Sequence, residues 1–589
     1  MLGLFSALLT LTSAYFPGYL VSSFFPELRK ISSVFEKTVL NVTLGFGVLS
    51  FIILFFSLFG LIYKQTFWVI LAVLNVLSIY SFLKENKLQR IKSLGFSGFE
   101  KLVLFLILLT GFFYVVLSFK PVVNLDALDY IVSFYKLCIT SHGLHNFTRI
   151  NPFFSYPQLM GMPDIFVMAL SDELAINHLH IFLGFLTCCI LYVTARKASN
   201  RTAGMLSALT FLTLGIFLDI AASAKIDIGT AFYAAAIFYC LTNWQREKRE
   251  EWFILSVVFC AFAFDTKYIC ALLLLFPACM FLLDVWTNRR INIMHIKLGV
   301  FSFILYIVFA SPWLIINYKF TSNPFSPMLN TIFHDSSLLP QIANDYNYFN
   351  RRVSSGYFNY LKDVFLGMPV FFLIFFVFLK RNMNTLIAFL LGVLYLLIGS
   401  FILPHFDRMF LPAFVLFSFV IGQVIYSFWS QPKISAKYFM TILYLIFALY
   451  GSYSVGNEIF RKENIAYFTG RMSKTEFLKQ TLTCYPISLA ANRLLPRNEK
   501  ILSLGESRGF YFDQEFIQAF GYIGTSILAN NSTEGIIAGM RNNHINYVLF
   551  SKEPYFAQLQ PKIFNEGNFL NNDFDLVAQE GDYYLYRLK

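Results

Sequence analysis

The sequence predicts a mainly α, polytopic membrane protein with a small C-terminal α/β domain outside the bilayer. Three observations carry this expectation. Apolar runs of spanning length recur up to about position 455, and 57% of the 589 residues are hydrophobic against 14% charged. That is more apolar surface than a water-soluble fold can bury. Lys and Arg cluster in every second short loop, and beyond residue 456 the spans stop and short apolar runs alternate with polar helical stretches.

Taken in order, candidate spans lie at 3–25, 38–62, 66–83 and 101–119, then at 174–195, 202–218, 227–243, 252–264, 268–286 and 297–316. Four more follow at 364–380, 385–403, 409–428 and 437–455. This makes about 13–14 transmembrane helices, two of them short for a hydrocarbon layer about 30 Å thick. The first run ends at Phe24-Phe25-Pro26-Glu27 with no small-residue cleavage site, so it reads as a retained span. The expected divisions are N-terminal transmembrane helices at 1–119, a first catalytic loop at 120–173, the remaining membrane core at 174–455 with a second outward loop at 317–363, and the C-terminal domain at 456–589.

Basic residues follow each odd-numbered span, from Arg29 and Lys30 after the first to Lys433 and Lys437 after the thirteenth. The net charge of +12 is therefore a positive-inside signal and not a nucleic-acid surface. Membrane lipids are expected partners and nucleic acid is not. The even-numbered loops then face away from the cytoplasm. They hold the 120–172 stretch, the segment from Asp219 to Asp227, the hairpin from Asp265 to Lys267, the 317–363 stretch, the junction from His405 to Arg408, and the tail. Six of the eight cysteines sit in apolar spans, where they act as small hydrophobes. Cys138 and Cys484 lie in polar regions, and a disulfide between them is left open.

One register thus puts every acidic or His-bearing loop on a single side. Asp126 and Asp129, with Tyr130, lie just past a span in NLDALDY. A carboxylate there can serve as a general base toward an acceptor hydroxyl, although Asp is also common at helix starts. Asp227 opens a span two residues after Lys225, and charges at that depth are costly and often functional. Snorkelling and helix capping explain the same pair nearly as well. Asp265 and Lys267 break an apolar hairpin, where a cation could meet a lipid phosphate or simply form a polar turn. His405, Asp407 and Arg408 mark the next outward junction, and Arg suits a phosphate grip as well as an interfacial anchor. In the tail, KILSLGES, NYVLFS, DFDLVAQ and YYLYRL read as strands and SKTEFLKQTLTCYPISLAANRLL as helix. The GESRG turn after the first strand lacks a dinucleotide fingerprint and reads as an ordinary strand-to-helix turn.

From residue 120 onward these elements resemble the GT-C superfamily of integral-membrane glycosyltransferases. The likeness is to the branch with the protein O-mannosyltransferases and the bacterial lipid A aminoarabinose transferase (family 39-like). The acid and following aromatic of that branch are matched by Asp126 and Tyr130, and its Tyr-Pro-Gln by Tyr156, Pro157 and Gln158. Asp227, Lys267, the series Trp313, Asn317, Tyr318, Asn323, Pro324 and Pro327, and Arg408 to Pro412 match later motifs. Departures are Ala127 where the mannosyltransferases carry a second acid, Ile131 where bacterial relatives often carry His, and about three extra spans before the first loop. The resemblance implies transfer of a sugar from a polyprenyl-phosphate-linked donor to an acceptor hydroxyl on a lipid, glycan or protein. It implies inversion at the anomeric carbon, outside the cytoplasm and in a bacterial inner membrane. Asp126 would be the base and Asp227 would position a hydroxyl. Lys267 and Arg408, backed by Lys225, would meet the leaving phosphate, with Asp129, Tyr130 and His405 lining the substrate. No His/Cys cluster has metal-ligand spacing, so no cofactor or metal is expected. A transporter or flippase would also span many times, but paired inverted halves are not evident. A non-catalytic scaffold would not need acids in three outward loops.

Overall fold

The computed structural model describes residues 1–85, 95–288, 293–330, 332–336, 371–378, 382–403, 406–431, 434–529, 532–552 and 573–589. The chain partitions into two compact units. One comprises Met1–Lys120, Pro157–Pro312 and Val353–Arg461, and the other Pro121–Tyr156, Trp313–Arg352 and Lys462–Lys589.

The first unit is a helical membrane body. Among the described residues, ten helices are long and apolar enough to cross a bilayer, or eleven if a bent pair is one span. Helices Lys64–Glu85 and Ile293–Thr321 leave rows of large apolar side chains exposed, among them Val69, Val76, Ile79, Phe301 and Phe303. Water would not tolerate such faces, and lipid does. The protein is a multi-pass integral membrane protein.

The remaining expected spans differ for identifiable reasons. The 202–218 run is the bent pair Arg201–Leu212 and Gly215–Ala221, turned by 62°. The 227–243 run is helix Asp227–Glu247, in which every residue from Asp227 to Trp244 is buried. A helix wrapped by protein on all sides needs no lipid-facing composition. The 252–264 run is the 15-residue helix Glu250–Phe264. Of the 364–380 run only Phe371–Phe378 falls within the described residues.

Near the N-terminus, helices Tyr15–Ser23 and Val34–Leu58 touch backbone to backbone. A Cβ on Gly18 would lie 1.7 Å from Asn41 O, and one on Gly45 would lie 1.6 Å from Ala14 O. Small residues at helix crossings are how membrane helices pack without a hydrophobic driving force. Gly45→Val is expected to lower the unfolding temperature in detergent. Gly98→Val, at a position open to 4 Å, is expected to leave it unchanged. Equal temperatures for the two variants would show that the crossing is not limiting.

The second unit contains a five-stranded sheet ordered β2-β1-β3-β5-β4, with β1 Lys500–Leu504, β2 Glu515–Gln518, β3 Tyr547–Ser551, β4 Phe574–Glu580 and β5 Tyr583–Leu588. β1 pairs in parallel with β2 and β3, and β3–β5 and β5–β4 are antiparallel. Leu502, Ile517, Val548, Ile536 and Met540 form its core with helix Thr533–Asn542. Two expectations change here. The single tail helix is two helices, Lys474–Thr481 and Tyr485–Leu494, because Pro486 starts the second. The GESRG turn joins strand to strand, β1 to β2, and not strand to helix. Cys138 and Cys484 are both buried and not bridged to each other, so neither is open to a labelling reagent.

The same unit holds Pro121–Tyr156, which is not a plain loop. It contains a π-turn at Ala127–Ile131, helix Val132–Thr140 and a 3₁₀ turn at Pro152–Ser155. Trp313 Nε1 and Asn317 Nδ2 both donate to the Ser155 carbonyl, at 2.9 and 2.7 Å, fixing the end of this segment.

Candidate active site

The sequence-predicted residues form two groups, one in each unit. In the membrane unit the group begins with a strained turn. Ala224 has φ of 53°, a left-handed conformation costly for a residue with a Cβ. Asn177, fully buried in helix Leu174–Ala198, accepts from the Ala224 N–H at 3.0 Å and donates to the Lys120 carbonyl at 3.0 Å. The turn so held places Lys225 and then Asp227. Lys225 Nζ donates to Asp219 Oδ2 at 2.9 Å. Asp227 starts helix Asp227–Glu247, where the helix dipole favours a carboxylate.

Lys267 comes from the hairpin after helix Glu250–Phe264, and its Nζ meets Asp227 Oδ1 at 2.6 Å. The Asp227 side chain is 4% exposed and that of Lys267 is 21% exposed, so the carboxylate is enclosed while the ammonium keeps a path to water. Gly229 permits this approach. A Cβ there would lie 3.1 Å from Met160 and from Thr266, the residue before Lys267. Arg408, at the start of Asp407–Trp429, lies over the Phe406 ring at 5.1 Å, and with Lys225 and Lys267 it acts electrostatically on Asp227. Four predicted residues therefore gather here, three of them cations from separate stretches of chain. His405 lies outside the described residues.

The second unit holds Asp126, Asp129 and Tyr130. Asp126 leads into the π-turn, in which the Val132 N–H bonds the Ala127 carbonyl. Such a turn inserts a residue into a helix at some cost and is frequent at functional sites. Asp129 Oδ1 accepts from Asn151 Nδ2 at 2.9 Å and from Gln518 Nε2 at 2.5 Å. Withdrawal from water pushes the Asp129 pKa up to about 7. The Gln518 bond opposes this, the Asp126 charge adds to it, the Asn151 bond opposes it, and Glu506 adds. Asp129 is thus neutral below about pH 7 and charged above it. The Tyr130 ring packs against Phe153 at 5.4 Å and Tyr156 at 6.0 Å, and Phe153 against Phe520 at 5.8 Å. Among the described residues, no three His, Cys, Asp or Glu side chains gather at metal-binding distance.

In solved structures this architecture recurs in ArnT from Cupriavidus metallidurans bound to undecaprenyl phosphate. The TM-score is 0.53 at 13% identity, over 84% of this chain and 98% of that one. The same protein in the apo state gives 0.53 and 13% over 83% and 97%. The chain has the GT-C fold. A mycobacterial arabinofuranosyltransferase, AftD, has it as well, with a TM-score of 0.50 at 11% identity over 85% of this chain and 40% of that one. The family model described as dolichyl-phosphate-mannose-protein mannosyltransferase matches residues 165–316 of this GT-C chain. That range holds Lys225, Asp227 and Lys267 but not Asp126, Asp129 or Arg408. By sequence, no curated protein matches.

Sequence reading did not single out Asn177, Asn151 or Gln518 as site residues. An Asn inside an apolar helix, at 177, is the signal for the first. Asn151 precedes Pro152 and bonds the Phe153 N–H, an Asx turn readable from Asn-Pro. Gln518 carries no local signal.

Proposed function

We propose that this GT-C chain is an inverting glycosyltransferase that moves a sugar from a polyprenyl-phosphate carrier to an acceptor hydroxyl on the extracytoplasmic face, in a bacterial inner membrane. The observation that carries this reading is the buried Asp227–Lys267 ion pair, with Lys225 and Arg408 near enough to act on the same carboxylate. A phosphate leaving group gains negative charge as the glycosidic bond breaks, and preplaced cations stabilise that charge most where water is excluded. Lys267 and Arg408 meet the phosphate, Lys225 supports them, and Asp227 orients Lys267 and a substrate hydroxyl. Asp126 removes the acceptor proton as the acceptor oxygen attacks the anomeric carbon. Tyr130, with the rings around it, offers a face for a sugar, and Asp129 is the second acid of the turn.

Mass spectrometry of cell-envelope glycans with and without the gene tests the reading. One sugar is expected to disappear from an envelope lipid, glycan or protein, and its polyprenyl-phosphate precursor to accumulate. An unchanged set of glycans and carriers would overturn it.

A further inference from the structure

The turn between β1 and β2 carries a buried polar network that the chemistry above does not use. The Glu506 side chain is fully buried. Its carboxylate accepts from Arg508 Nε and Nη2 at 2.8 and 2.6 Å, from the Ser507 and Arg508 N–H groups at 2.9 and 2.8 Å, and from the Tyr583 hydroxyl at 2.9 Å. The Ser503 hydroxyl donates to the Glu506 carbonyl at 2.7 Å. These bonds set the position of the Ser507 carbonyl, which accepts from Gln518 Nε2 at 2.9 Å.

The same nitrogen donates to Asp129 Oδ1, so both of its hydrogens are committed. Gln518 Oε1 is buried with no partner among the described residues. An orphaned buried carbonyl costs stability, which an apolar residue of similar shape would avoid. Asn151 supplies the other donor, its own Oδ1 held by the Phe153 N–H at 2.9 Å. Both donors meet Oδ1, which leaves Asp129 Oδ2 to carry a proton.

We propose that Gln518, with Asn151, is a positioning residue that clamps Asp129 on the turn led by Asp126, so that the C-terminal sheet sets the pH range over which Asp129 gives up its proton. This rests on the general-base reading of Asp126. The charged groups facing Asp129 are Asp126 on its own turn and Glu506 from the β1–β2 turn, the latter paired with Arg508.

The test titrates the full-length protein in nanodiscs by infrared difference spectroscopy. The Asp129 carboxylic-acid band is assigned by its loss in Asp129→Asn. Its midpoint is expected near pH 7 in the parent protein. Gln518→Ala removes a bond that favours the charged form, so the midpoint is expected to rise by roughly one pH unit. Gln514→Ala, at a buried amide whose nitrogen bonds the Ala491 and Leu495 carbonyls, is expected to leave it in place. The limb of the pH–rate profile is expected to move with the band. An unmoved band in Gln518→Ala would overturn the clamp. A moved band with an unmoved rate profile would overturn a role of the Asp129 proton in transfer. Absence of any transfer by the parent protein would instead count against the transferase reading, and the band would still decide the clamp.

Discussion

Asp126→Asn is expected to lower glycosyl transfer by about 10²–10⁴-fold, the usual contribution of a positioned general base. The substitution keeps the shape of the side chain and removes only its ability to take a proton. In the proposed mechanism donor binding falls to the cations around Asp227, so the KM for the polyprenyl-phosphate sugar is expected to stay within a few fold. The check is reconstituted transfer with radiolabelled donor, beside a thermal-unfolding curve for the variant. Transfer within a few fold of the parent would remove Asp126 as the base. Lost transfer together with a collapsed unfolding temperature would assign it a structural role. Asp129→Asn gives the contrast. It is expected to retain measurable transfer but lose the limb of the pH profile near neutrality, because it removes the clamped acid and not the base.

Lys267 and Asp227 were legible as site candidates, though not as each other's partner, because each interrupts an apolar run beside a loop that the basic-residue pattern assigns to one side. Arg408 followed from the same logic. The helix starting at Asp227 shows where that logic stops. Its length marks a span, but its surroundings are protein on every face, and burial by other helices is a tertiary property with no local signature. In the C-terminal domain β1, β3, β4 and β5 were readable as short apolar runs. β2 has only four residues, too few for alternation to register. Gln518 ends that strand, and its partner Asp129 lies 389 positions earlier. No window along the chain contains both. Asn177 is a milder case: its polar side chain inside an apolar helix signals a buried partner, but not that the partner is the strained turn leading into Asp227.

Lys267→Met is expected to have the second large effect, and it separates stability from chemistry. Removing one member of a buried pair leaves an uncompensated charge, which costs up to about 3–5 kcal/mol. Lys225 and Arg408 act on the same carboxylate, so the loss here is expected toward the lower end of that range. Transfer is expected to fall by about 10²–10³-fold through loss of a preplaced cation. The double variant Lys267→Met with Asp227→Leu then decides between the two consequences. Replacing both partners by apolar groups of similar volume is often neutral for stability, so the unfolding temperature is expected to recover. Transfer is not expected to recover, because the phosphate has still lost its cation. Lys267→Arg keeps the charge and is expected to retain more transfer than Lys267→Met, with a geometric penalty because the two head groups are not interchangeable. If the double variant regained transfer along with stability, Lys267 would serve only to neutralise Asp227, and the phosphate contact would fall to Arg408 alone.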